Sequence, residues 1–168
     1  MPDPMGMRSC TGGCIRSARV EEGAALSDLC VRSKAVWGYD ASFMALARGV
    51  LQVGAKQIAA GDVWVATTAD GSLAGVVALA PCEQPDTLDL DKLFAEPRHI
   101  RRGFGGALLD HARQQARRRG ATRLTILADP YAAAFYERRG ARRVGEAPSD
   151  AIPGRLVPFY EVALVEAI

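Results

Sequence analysis

A junction near the middle of the chain limits its fold more than any other feature. "TLDLDKLFA" (87–95) alternates apolar and charged residues, as a half-buried strand does. Shortly after it come Gly103, Gly105 and Gly106. A helix then follows from about Gly105 to Arg119, with Leu108, Leu109, Ala112 and Ala116 on one apolar stripe and Gly120 as its stop. Before this junction, "VWVATT" and "LAGVVALA" read as two strands joined by the turn signal "ADGS". After it, "RLTILA" reads as a strand, "AAAFYERRG" as a short helix closed by Gly140, and "RRVGE" and "LVPFYEVAL" as strands.

The N-terminal part opens with "IRSARV" (15–20), a candidate strand. "GAALSDLCVRSKAVWGYD" and "ASFMALARGVLQV" carry helical periods and are separated at Gly38. Residues 1–14 are rich in Gly, Pro and Met without a period, so they are expected to form a disordered leader. Residues 15–168 are expected to form a single domain. The order is β-αα-βββ-α-β-α-ββ, an α/β (α+β) arrangement.

Composition removes several classes. The net charge is only +2, which argues against a nucleic-acid partner even though Arg117, Arg118 and Arg119 end the long helix. Positive charge at that position suits the negative end of the helix dipole. The four cysteines and two histidines have no zinc spacing, so no metal is expected. No apolar run is long enough for a membrane span, and the first residues lack the core of a signal peptide. The expectation is a cytoplasmic protein without a membrane partner.

A strand, a glycine turn and a helix together make an anion site. Glycines let backbone approach a ligand closely, and the first free N–H groups of the helix point at it. A nucleotide P-loop needs Lys after the glycines, and none follows here. The dinucleotide fingerprint needs a third Gly where Leu108 stands.

A third pattern fits. "LFAEP", "IRRGFGGALLDHA" and "AAAFYERRGA" together resemble the GCN5-related N-acetyltransferase (GNAT) family, over roughly Leu88 to Glu146. Gly103 and Gly105 match the small positions of its pyrophosphate signature, and Ile100 stands where that family has Gln or Arg. The resemblance implies a mixed, mostly antiparallel sheet flanked by helices. It implies acetyl-CoA as co-substrate, held by the backbone of Gly103, Phe104, Gly105 and Gly106 with Arg101 and Arg102 near its phosphates. Leu93, Phe94 and Ala95 match the strand end whose backbone meets the thioester, and Asp129 stands where the family often has Asn.

In the same way Tyr136 is implied as the acid that protonates the departing sulfur. Asp89 and Asp91, expected on one face of their strand, are the candidate bases. Phe135 is expected to pack and Tyr131 to be exposed. The acceptor, a primary amine of a small molecule or protein, is expected near Trp37, Tyr39, Phe43 and Tyr160. There Asp40 or Glu161 would attract a cationic amine and Arg155 a carboxylate. The alternative is a CoA-binding sensor or interaction module without turnover. Dimers recur in the family, so a homodimer is an open expectation.

Overall fold

The computed structural model describes residues 9, 10 and 13–164. Its centre is one sheet of eight strands in the order β1-β2-β3-β4-β5-β6-β8-β7. The strands are β1 (Ser9–Cys10), β2 (Gly13–Ser17), β3 (Val63–Thr67), β4 (Leu73–Pro81), β5 (Thr87–Ala95), β6 (Arg123–Leu127), β7 (Arg142–Pro148) and β8 (Leu156–Ala163). Every neighbouring pair is antiparallel except β5 with β6. The helices are α1 (Gly23–Ala35), α2 (Ala41–Ala47), α3 (Ala55–Ala59), α4 (Phe104–Arg118) and α5 (Ala133–Arg138).

The central strands are apolar on both faces because both faces are covered. β3 is buried along its whole length. On one face Val77 and Leu79 of β4 pack with Leu108, Leu109, Ala112 and Ala116, the stripe expected for α4. On the other, Val76 and Ala78 pack with Leu26, Leu29 and Cys30 of α1 and Ile58 of α3. Each fully buried side chain of this size contributes about 1.5–3 kcal/mol.

One irregularity shapes the sheet. Ala78 is opposite Lys92, but Leu79 is opposite Leu90, so Asp91 is an extra residue in β5. A bulge of this kind bends its strand and increases the local twist. β5 pairs with β6 only from Thr87 to Asp89, opposite Arg123 to Thr125. Beyond that point the two strands separate, and β6 continues against β8 alone.

Most of the expected order is present, with three differences. The helical reading of "ASFMALARGVLQV" gives a shorter α2, and a further short helix, α3, follows it. The expected strand at 15–20 begins earlier, at Gly13, and Val20–Glu22 is a 3₁₀ turn. Of the expected leader, residues 1–8, 11 and 12 lie outside the described residues, whereas Ser9 and Cys10 pair with Cys14 and Gly13.

Gly75 sits where α4 crosses β4. A Cβ there would lie 2.7 Å from Leu108 Cδ1 and 3.1 Å from the Phe94 carbonyl oxygen. Leu108 is fully buried and has little room to yield. Gly75→Ala is therefore expected to cost about 1–3 kcal/mol. Denaturant unfolding should show a lower midpoint at an unchanged slope. An unchanged midpoint would mean that the helix does not press on the strand here.

Candidate active site

The divergence of β5 and β6 opens a cavity of about 600 Å³. Its walls include Leu90–Ala95 of β5, Ile126 and Leu127 of β6, the turn before α4, and the face of α5 that carries Phe135 and Tyr136. The turn is tightly coiled. Pro97–His99 forms a 3₁₀ turn, Arg101 has φ +68° and Gly103, the residue capping α4, has φ +86°. A left-handed arginine is uncommon, and such backbone strain gathers at ligand sites.

No side chain caps α4. Ala107 donates its N–H to Gly103 O at 3.1 Å, which leaves the N–H groups of Phe104, Gly105 and Gly106 as the helix's free donors. This is the arrangement that binds an anion at a helix start. At Gly106 a Cβ would meet the Arg139 guanidinium, the far end of an exposed side chain that can move aside. Gly105 differs, because a Cβ there would meet Phe135 at an ordinary 3.6 Å.

The two arginines of the turn separate. Arg101 lines the cavity; Arg102 does not, and its guanidinium lies 5.5 Å from the Phe104 ring and donates to His99 Nδ1 at 2.9 Å. Arg138 of α5 and Arg139 just after it also line the cavity, and the sequence reading passed over both. Their signal was the "ERRG" run ending the tyrosine helix. Arg117, Arg118 and Arg119 line neither cavity described here. Arg117 donates to Leu164 O at 2.8 Å, and Arg119 pairs with Asp62 at 2.6 Å.

Tyr136 is only 7% exposed, yet it lines the large cavity and its hydroxyl makes no hydrogen bond to the described residues. Burial, followed by the charges of Asp129 and Asp89, pushes its pKa well above the usual phenol value. It therefore carries its proton at neutral pH.

Asp89 and Asp91 do not have equivalent positions. The bulge ends the simple alternation on which their shared face rested: Leu90 and Leu93, three residues apart, pack against the same core. Asp89 accepts from Thr125 Oγ1 at 2.9 Å and lines neither cavity. Burial raises its pKa, the Thr125 hydrogen bond opposes that rise, and the charges of Asp91 and Asp150 add to it. Asp91 accepts from Gln57 at 3.0 Å and pairs with Lys92 at 2.8 Å.

A second, smaller cavity of about 130 Å³ adjoins the first. Lys34, Asp91, Lys92, Phe94, Leu127 and Asp129 line both. Lys92, buried at this meeting point, was missed in the sequence reading. Asp129 ties the region together: it accepts from the Tyr131 N–H at 2.9 Å, from Lys34 at 2.6 Å and from the Tyr39 hydroxyl at 2.8 Å. Burial alone would raise the Asp129 pKa. The Lys34 and Tyr131 hydrogen bonds, the Lys34 charge and the Tyr39 hydrogen bond outweigh burial and hold it below the usual value.

The expected acceptor residues scatter. Phe43 and Arg155 line the small cavity. Trp37 instead lines the large one, stacked on Tyr131 at 5.2 Å. Tyr39 lines neither, but it stacks on Phe43 and receives a hydrogen bond from Arg155 at 2.9 Å. Tyr160 requires correction: it is wholly buried in the core, and its hydroxyl donates to Glu137 at 2.8 Å. Asp40 and Glu161 are likewise used elsewhere. Asp40 caps α2, and Glu161 pairs with Arg123 and Arg142.

Among the described residues no helix is long and apolar enough to cross a membrane, and no cluster of three metal-ligating side chains occurs.

Comparison with known proteins agrees with this geometry. The model of the acetyltransferase (GNAT) family matches residues 39–141, more than half of the chain. No curated protein sequence matches the chain. Among solved structures, a GCN5-related N-acetyltransferase from Rhodopseudomonas palustris is 22% identical, with a TM-score of 0.71 over 94% of this chain and 99% of that one. The PaiA N-acetyltransferase of Thermoplasma acidophilum, in complex with coenzyme A, is 15% identical, with a TM-score of 0.70 over 90% and 98%. YncA, a putative acetyltransferase from Salmonella typhimurium with acetyl-CoA, is 19% identical, with a TM-score of 0.68 over 94% and 97%. At these identities the likeness is one of fold.

The Asp129 cluster predicts a pH dependence. Asp129→Asn is expected to cost about 1.5–3 kcal/mol at neutral pH, the range for hydrogen bonds to a charged group. Because the folded carboxyl is depressed, the unfolded chain binds its proton more tightly. The stabilisation is complete above the ordinary aspartate pKa of about 3.9 and fades as pH falls through the lower folded value. Denaturant titrations of the wild-type and Asp129→Asn proteins should therefore converge in acid. A gap that persisted there would remove the charge from the explanation.

Proposed function

We propose, from the premise that the chain belongs to the GNAT acetyltransferase family, that it transfers an acetyl group from acetyl-CoA to a primary amine. The observation that carries this reading is the opening between β5 and β6, with uncapped helix N–H groups on one wall and a buried phenol on another. The residues present suit acetyl-CoA. Free N–H groups of Phe104–Gly106 suit its pyrophosphate, and Arg101, Arg138 and Arg139 add positive charge around the same cavity.

Acetyl-CoA supplies a thioester carbonyl. Leu90–Ala95 of β5 border the cavity after the strand has parted from β6. In this reading the backbone N–H of Leu93 donates to the carbonyl oxygen as negative charge builds on it; Phe94, in phase with Glu96, whose N–H donates to Ala74 O, turns its own N–H toward β4. Tyr136 donates its proton to the departing sulfur. Asp91, which lines both cavities and sits on β5 beside the opening, accepts the amine proton directly or through water. Asp89 supports this electrostatically from behind Thr125.

Two outcomes check the reading. Gly105→Val places its Cβ in ordinary contact with Phe135, and a thermal unfolding curve checks that the variant is folded before binding is read. The substitution should weaken acetyl-CoA binding about tenfold or more, roughly 1.4 kcal/mol, by intruding on the phosphate path. Calorimetry giving equal affinities would remove the glycine turn from the site.

Tyr136→Phe should lower kcat by about 10²–10⁴-fold on every accepted amine, with little change in acetyl-CoA affinity. The loss should shrink with an acyl donor of lower thiol pKa. Equal kcat in both proteins would return Tyr136 to a packing role.

A further inference from the structure

The small cavity carries a charge pattern that identifies a class of acceptor, on the premise of the acetyl transfer above. Three cations line it, Lys34, Lys92 and Arg155, against three carboxylates, Asp91, Asp129 and Asp150, so the lining charges cancel. Lys34 with Asp129 and Lys92 with Asp91 are closed pairs at 2.6 and 2.8 Å. Arg155 and Asp150 form no ion pair among the described residues.

Arg155 is held as a built socket rather than a loose surface charge. It ends the turn between β7 and β8, where the Ser149 N–H donates to Arg155 O at 2.8 Å. Ser149 Oγ accepts from the N–H groups of Ala151 and Ile152 at 3.2 and 3.1 Å, fixing the same turn. The guanidinium carbon lies 4.8 Å from the centre of the Phe43 ring and 5.2 Å from that of Tyr39. One of its nitrogens donates to the Tyr39 hydroxyl, which donates onward to Asp129. A guanidinium has five N–H donors in a planar fork that matches a carboxylate. Most of that fork is uncommitted here.

Position gives the order of groups along the ligand. Arg155 lines only the small cavity, whereas Asp91 lines both. A molecule reaching from one to the other has its carboxylate at Arg155 and its amine at the edge of the thioester cavity. The small cavity, at about 130 Å³, lies well below the roughly 300–1,000 Å³ of sites for larger ligands. A diamine would instead set its second ammonium against Arg155.

We propose that the acceptor is a small amino acid, whose carboxylate is bound by Arg155 and whose amine is presented at Asp91. The ammonium first loses a proton to the Asp91 carboxylate or a water beside it. The amine nitrogen then forms its bond to the acetyl carbon as the carbon–sulfur bond breaks. The sulfur leaves as the thiol, with the Tyr136 proton, and the remaining excess proton on nitrogen returns to Tyr136 through water. The net products are the N-acetyl amino acid, free CoA and one proton.

The test uses matched acceptors: free amino acids, their carboxamides and the corresponding decarboxylated amines. Thiol release is followed for the wild-type, Arg155→Gln and Arg155→Lys proteins. In the wild type, kcat/KM for at least one amino acid should exceed that of its carboxamide and its amine by tenfold or more. Arg155→Gln should abolish that preference mainly through KM, Arg155→Lys should retain part of it, and the KM for acetyl-CoA should not move. A wild type that treats acid and amide alike, or an equal loss on both in Arg155→Gln, overturns the proposal. Calorimetry of the same compounds against CoA-saturated protein separates the two readings. Selective binding of the acid, lost in Arg155→Gln, supports the socket even if no thiol is released, an outcome that would count against acetyl transfer alone. Thiol release without carboxylate selectivity counts against the socket alone.

Discussion

The parting of two parallel strands is the constraint on which the rest of the structure depends. β5 pairs with β6 for three residues and then bends away at the Asp91 bulge. Strands that separate leave backbone donors and acceptors without ladder partners, which is costly unless water or a ligand meets them. Here that edge borders an open cavity. The same bend leads the chain through a tight turn into α4, whose uncapped start opens on the cavity, and leaves room for Tyr136 on the opposite wall. A bulge of one residue thus connects the strand pattern to both the helix start and the Tyr136 wall of the proposed donor site.

On the other side of β5, order is supplied by charge. Asp129 draws together Lys34 of α1, Tyr39 before α2 and the backbone N–H of Tyr131 after β6. Tyr39 in turn holds Arg155 from the β7–β8 turn. Three stretches distant in sequence, at 34–39, 129–131 and 155, are therefore joined through one carboxylate and one phenol, and two aromatic rings keep the arginine in place. Such a network is stable because its buried members are satisfied, and it gives the small cavity walls that do not rely on a large apolar core.

What could be read in the sequence was what repeats locally. The α4 stripe, the hairpin of β3 and β4, and the glycines at the start of α4 each leave a pattern within a few residues, and each appears in the fold. That Arg117 and Arg119 lie at the end of α4 was legible from Gly120, but their partners, Leu164 O and Asp62, were not. What could not be read was long-range. Lys34 and Asp129 are 95 residues apart, and Arg155 and Tyr39 are 116 apart, so no window of sequence contains either pair. Tyr160 carries a hydroxyl that suggested a pocket, but its ring packs in the core and its hydroxyl reaches the exposed Glu137. The bulge at Asp91 was hidden for another reason: alternating letters look the same whether or not one residue is extra. α3 was too short, at five residues, to display a helical period.

The most direct test of the central claim is a crystal structure of the protein with coenzyme A. The account predicts the pyrophosphate on the N–H groups of Phe104, Gly105 and Gly106, the pantetheine arm between β5 and β6, and the sulfur within hydrogen-bonding reach of the Tyr136 hydroxyl. Coenzyme A bound outside the β5–β6 opening, or with its sulfur away from Tyr136, would contradict it.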